Sequence, residues 1–228
     1  MSEDILATSP RRSFLSRLAA GTAALGLTAF LPVTACAAEK TDAAASDSTS
    51  AEGNEWPGTL KTKHKMVVDA FAMNEGFPLA FAYTFMLPYE AVSPSPATAV
   101  IILRHAGFPM ALTDPVWAKY KIGKAMNVID PTTKAPAERN PFFNAKPGSL
   151  VVDGMAIDKL LARGTIIGAC NVALHVLSAK FAPAAGVTPE VALKEWTAGI
   201  IPGLTVIPSG TWGVNRAQEA GCSYCAGG

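Results

Sequence analysis

From Lys65 onward, two hydrophobic patterns take turns along the chain. Four apolar runs, "KMVVDAFAM" from Lys65, "TAVIILR" from Thr98, "TIIGA" from Thr165 and "GLTVI" up to Ile207, lack a helical period. They predict buried strands. The stretches between them carry helix start and stop signals. Pro78 opens "PLAFAYTFMLPYEAV", expected to end near Pro88, and Asp114 reads as an N-cap followed by Pro115. "GMAIDKLLARG" turns Ile157, Leu160 and Leu161 inward and stops at Gly164, and a helix is expected from about Asn171 to Phe181. Thr188-Pro189-Glu190 starts another that ends near Gly199, and Ser209 caps a closing helix.

The predicted order is strand, helix, strand, helix, helix, strand, helix, helix, strand, helix. Such alternation predicts an α/β fold: a three-layer sandwich in which a mainly parallel sheet carries helices on both faces, joined by right-handed crossovers. The helix opened by Pro78 has no polar face, so it needs cover on more than one side, as a core helix or as a subunit interface. Residues 127–148 hold Pro131, Pro136, Pro141 and Pro147 with little periodicity and read as a surface insertion or lid.

The N-terminus follows other rules. Ser9-x-Arg11-Arg12-x-Phe14-Leu15 precedes an apolar run from Leu18 to about Val33, shorter than the roughly 20 residues of a spanning helix. This is the pattern of a twin-arginine signal peptide, assigned to residues 1–38, and it implies a periplasmic or otherwise extracytoplasmic destination. "VTAC" at Val33 to Cys36 resembles a lipobox that would lipidate Cys36, whereas Ala35-Cys36-Ala37 also fits ordinary cleavage. A membrane association is expected only through that lipid. Residues 39–58 are rich in Ala, Ser, Asp and Glu and read as a linker or disordered leader. Residues 59–221 form the domain, and residues 222–228 a C-x-x-C tail.

Of the 228 residues, 50% are hydrophobic, enough for one core of ordinary size. The formal net charge is +1, with neither a basic stripe nor an acidic block, so no nucleic-acid partner is expected. The G-x-G-x-x-G, P-loop, G-x-S-x-G and H-E-x-x-H patterns do not occur, and the chemistries they signal lack support.

In open α/β sheets, sites gather beyond the carboxyl ends of the strands. Here those ends carry Asn74, Arg104 with His105, Cys170 with Asn171, and Pro208 with Ser209. Cys170 falls between a strand and a helix N-terminus, where backbone N–H groups favour a thiolate, which makes it the candidate nucleophile. The competing reading is a small buried hydrophobe. With Cys36 set aside, three of the four cysteines remain. Cys222 and Cys225 read as a tail disulfide, as a resolving pair for Cys170, or as half of a metal site completed elsewhere. His105 fits a proton shuttle, an orienting group, a metal or haem ligand, or a structural histidine. His175 points to another side of its helix, and His64 belongs to a solvated edge.

These stretches, "AVIILRHAGFPMALTDPVWAKYKIG", "LLARGTIIGACNVAL" and "IIPGLTVIPSGTWGVNRAQEAG", resemble the DsrE/DsrF family of small sulfur-metabolism proteins, in an exported branch. The resemblance covers about residues 65–221. It implies a flavodoxin-like or DsrEFH-like fold, frequent trimers or hexamers and, in some members, a cysteine after a central strand that carries persulfide sulfur, a position Cys170 matches in pattern. Export, the proline-rich insertion and the C-x-x-C depart from the family pattern.

The resulting expectation is a sulfur carrier or sulfurtransferase acting through Cys170, with His105, Asn171, Asn74 and Ser209 supporting the site and sulfur donor or acceptor proteins as partners. The alternatives are a non-catalytic module holding a metal, haem or small ligand at His105 and Cys170, and a structural oligomer with Cys170 buried.

Overall fold

A computed structural model describes residues 55–93 and 95–228; the expected signal peptide, Cys36 and most of the expected linker lie outside the described residues. Five strands form one sheet: β1 (His64–Ala70), β2 (Ala97–Leu103), β3 (Ile166–Cys170), β4 (Thr205–Ile207) and β5 (Ser223–Ala226). Their order is β4-β3-β2-β1-β5, and every neighbouring pair is parallel. The helices are α1 (Phe77–Val92), α2 (Asp114–Lys119), α3 (Ile122–Ala125), α4 (Ile157–Ala162), α5 (Asn171–Phe181), α6 (Pro189–Ala198) and α7 (Gly210–Glu219). The expected α/β sandwich with a parallel sheet is what the chain forms. No helix of the described residues is long and apolar enough to cross a membrane.

The period-two alternation of the strands sorts their side chains into two cores. On one face Val68, Ala70, Ile101, Leu103, Ile167 and Ala169 pack under α1, α4, α5 and α6. Its aromatic centre is Trp196, stacked on Phe108 at 6.3 Å and edge-on to Tyr120 at 5.5 Å. On the other face Val67, Val100, Ile102 and Ile207 pack against Ala217 of α7, with Trp56 and Leu60 beside them. This asymmetry follows from strand order. The three steps from β1 to β4 run in one direction across the sheet, so right-handed crossovers put their helices on one face. The return from β4 to β5 runs the other way, and α7 therefore lies on the opposite face.

Several boundaries differ from those expected. Helix α1 continues through Pro88 to Val92: the proline, which lacks an N–H and therefore one helical hydrogen bond, stands on the exposed side. Thr113, not Asp114, is the N-cap of α2, and the Asp114 Oδ1 instead accepts the Asn140 backbone N–H at 3.0 Å. The proline-rich insertion is tied down by Asn140, which is buried and donates from Nδ2 to the carbonyls of Met110 (2.9 Å) and Leu112 (2.7 Å). Residues 222–228 are no simple tail, since residues 223–226 form β5 in parallel register with β1, Tyr224 opposite Val67 and Cys225 opposite Val68.

The Tyr120 hydroxyl donates to Glu195 at 2.7 Å. Burial first, and then this hydrogen bond, push the phenol's pKa above its ordinary value of 10. A raised folded-state pKa gives stability that is fully present below the unfolded value and is lost as pH rises through the folded one. Tyr120→Phe should therefore flatten the decline in stability above about pH 10, as measured by urea unfolding across an alkaline pH series.

Candidate functional site

Strands β3 and β4 are neighbours whose following helices leave to opposite faces. Such a divergence opens a crevice beyond the strand ends. Cys170 closes β3 and is the N-cap of α5, and Ser209 is the N-cap of α7. The Ser209 hydroxyl accepts the Trp212 N–H at 3.2 Å and fixes the first turn of α7. Two backbone N–H groups converge on the Cys170 Sγ, from Ala173 in α5 at 3.3 Å and from Gly210 in α7 at 3.1 Å. Two helix N-termini thus face one sulfur, an arrangement that favours negative charge there.

Cys170 is only 5% exposed, yet it borders a cavity of about 340 Å³ lined also by Arg104, His105, Val176, Ser209 and Thr211. The volume suits a small ligand. His105 stands at its edge, exposed, with φ at +47°, a left-handed conformation that costs energy for a residue with a Cβ. The turn is held next door, where the Gly107 N–H donates to the carbonyls of Arg104 (2.9 Å) and Phe71 (3.2 Å). A Cβ at Gly107 would collide with the Ala70 carbonyl oxygen, so only glycine allows this close approach to β1.

Arg104 of the cavity wall belongs to a charged group that the sequence reading did not assemble. Asp69, 4% exposed in β1, accepts from Arg104 Nε at 2.6 Å and Nη2 at 2.8 Å, and from the Tyr224 hydroxyl of β5 at 3.0 Å. The hydrogen bond to Asp69 raises the Arg104 pKa further, and burial, then the same carboxylate, raises that of Tyr224. Arg104 and Tyr224 therefore keep their hydrogen-bond-donating forms at neutral pH. The stem of Arg104 presses on Gly210, where a Cβ would collide with the arginine Cβ, Cγ and Cδ. Glycine at this position lets α7 begin close enough for its N–H to meet the sulfur. The lone charge in "VVDAF" signalled Asp69, but its partners depend on strand register, which no local pattern reveals.

The remaining expected site residues scatter. Asn171 is the half-buried first residue of α5 and does not line the cavity. Asn74, at φ +41°, borders a separate depression of about 580 Å³ with Glu75, Met126 and Phe142. Cys222 and Cys225 are free thiols: Cys222 packs into the α7 face and Cys225 against the opposite core. Three residues apart on an extended segment, they point to opposite faces, and the structure does not bring the two together as a disulfide or as a ligand pair. Burial raises both thiol pKa values. Strand β5 stands three places from β3, about 14 Å away at the usual strand spacing, so neither thiol reaches Cys170 as a resolving group in this fold. Among the described residues, no cluster of three or more His, Cys, Asp or Glu is arranged to hold a metal ion.

No protein-family model matches the chain, and no curated protein is significantly similar to it.

The Asp69–Arg104 pair is tested by a double-mutant cycle. Asp69→Asn and Arg104→Met should each cost about 2 kcal/mol, because each leaves a partner unpaired near the core, and the double variant should recover at least about 1 kcal/mol of their sum. Urea unfolding of the four proteins measures both quantities.

Proposed function

We propose that this protein is an exported carrier or transferase of sulfane sulfur, akin to the DsrE/DsrF proteins its sequence resembles, with Cys170 as the sulfur-bearing residue. The observation that carries the reading is the convergence of the Ala173 and Gly210 N–H groups on the Cys170 Sγ at the edge of a cavity. Sulfur transfer passes through a cysteine thiolate twice, as attacking group on loading and as leaving group on unloading. Fixed donors that favour the anion assist both steps.

With thiosulfate as donor, the Cys170 thiolate attacks the outer sulfur, the sulfur–sulfur bond breaks, sulfite leaves with the bonding pair, and a persulfide anion remains on Cys170. His105, at the cavity edge, is the group placed to exchange a proton with the incoming or outgoing species. Export by the twin-arginine route, a lipid on Cys36 and assembly into trimers or hexamers belong to the same proposal and rest on sequence resemblance.

A second reading, a packed structural thiol, is favoured by the 5% exposure of Cys170. The two are separated by incubating the full chain with thiosulfate or polysulfide and measuring intact mass. One added sulfur atom on Cys170, absent in Cys170→Ser, is the expected result; no added sulfur with any donor, together with slow alkylation of the folded protein, leaves the structural reading.

The opposite-face placement of the other two thiols makes a separate prediction. Cys222→Ser combined with Cys225→Ser should load Cys170 at the wild-type rate, within about twofold, by the same mass measurement. A loss of loading would restore a resolving role to that pair.

A further inference from the structure

The cavity beside Cys170 does not stand alone. A second, of about 350 Å³, shares His105 and Leu177 with it and extends to Lys180, Phe181 and Ala184. Both follow α5. Ala173, Val176, Leu177 and Lys180 recur at three- and four-residue steps, so they form one ridge running from the Cys170 end of the helix to its last turn. Ten residues of helix rise about 15 Å, and helical side chains lean toward the N-terminus, so a Lys180 side chain extended that way would set its ammonium roughly 10 Å from the sulfur end of the trough.

The charges along this trough have one sign. Neither cavity is lined by a carboxylate, and their cationic or protonatable side chains are Arg104, His105 and Lys180. Arg104 is committed to Asp69, whereas Lys180 makes no ion pair with a described residue. Between the ends the wall supplied by α5 is apolar, with Val176 59% exposed and Leu177 and Phe181 beyond it, while His105 borders both cavities. A reactive sulfur, an apolar middle and an uncommitted cation therefore follow one another along a single helix.

We propose that this trough binds a small organic persulfide whose carboxylate lies about 10 Å from its sulfur, and that Lys180 receives the carboxylate. This inference rests on the reading of Cys170 as a sulfur acceptor and names the donor class. The Cys170 thiolate attacks the outer sulfur of R–S–S–H, and the bond to the carbon-bearing sulfur breaks. R–S⁻ leaves and takes a proton from solvent, and Cys170 holds the persulfide. Inorganic donors, too short to span the trough, use only the cavity beside Cys170.

The test loads the full-length protein with glutathione persulfide, a carboxylate-bearing organic donor, or with inorganic polysulfide, and follows added sulfur on Cys170 by mass against donor concentration. Lys180→Met should raise the half-saturating concentration of glutathione persulfide about fivefold, the loss of one exposed charge contact, and Lys180→Arg should restore it. Loading by polysulfide should be unchanged in both variants, which also shows that they are folded. If polysulfide loads Cys170 but Lys180→Met leaves the glutathione persulfide curve where it was, the donor class is wrong and the sulfur-carrier reading stands. If neither donor loads the wild-type protein, the carrier reading itself falls.

Discussion

The constraint on which the site depends is the path from β4 back across the sheet to β5. A chain that has laid down four strands in one direction must return to the far edge, and a right-handed return can pass only over the uncovered face. That single crossover supplies α7 as cover for the second core and forces the helices after β3 and β4 apart. The crevice is thus a product of topology. Within it, Cys170 receives an N–H from each of the two diverging helices, a geometry that a loop alone would hold less rigidly.

A second layer of support lies across the sheet from the sulfur. Asp69 joins the first strand to the last through Tyr224 and to the second through Arg104, and the arginine stem sets how closely α7 can start. A partly buried pair of this kind contributes modestly to stability, because desolvation offsets much of the attraction. Its larger effect is geometric. The bidentate contact fixes the arginine's direction, and with it the wall that meets Gly210.

Much of the fold was legible because burial imposes periodicity. Four strands, the capping residues Thr188 and Ser209, and the stop at Gly164 could be read directly, and the rim that gathers Arg104, His105, Cys170 and Ser209 followed from them. What escaped has a common cause. β5 is four residues of largely exposed edge strand, "SYCA", with no apolar run to mark it. Once it is a strand, the odd spacing of Cys222 and Cys225 places them on opposite faces; as a tail, the same spacing suggested a pair. Asn140 looked like one more polar residue in a proline-rich stretch, although its amide anchors that stretch to the chain before α2. Asn74 and Asn171 share the rim in sequence logic, but the width of the sheet and the turn of the helix separate them from the sulfur.

The pairing of β5 with β1 also says when the site is complete during folding. The Tyr224–Asp69 contact spans 155 positions of chain, a far longer loop than any joining consecutive strands. Contacts of that separation carry the largest closure entropy and form late. Cys170 can reach its place at the end of β3 while the wall beside it is still unbuttressed, so the surroundings of the thiol mature after the thiol itself is in position.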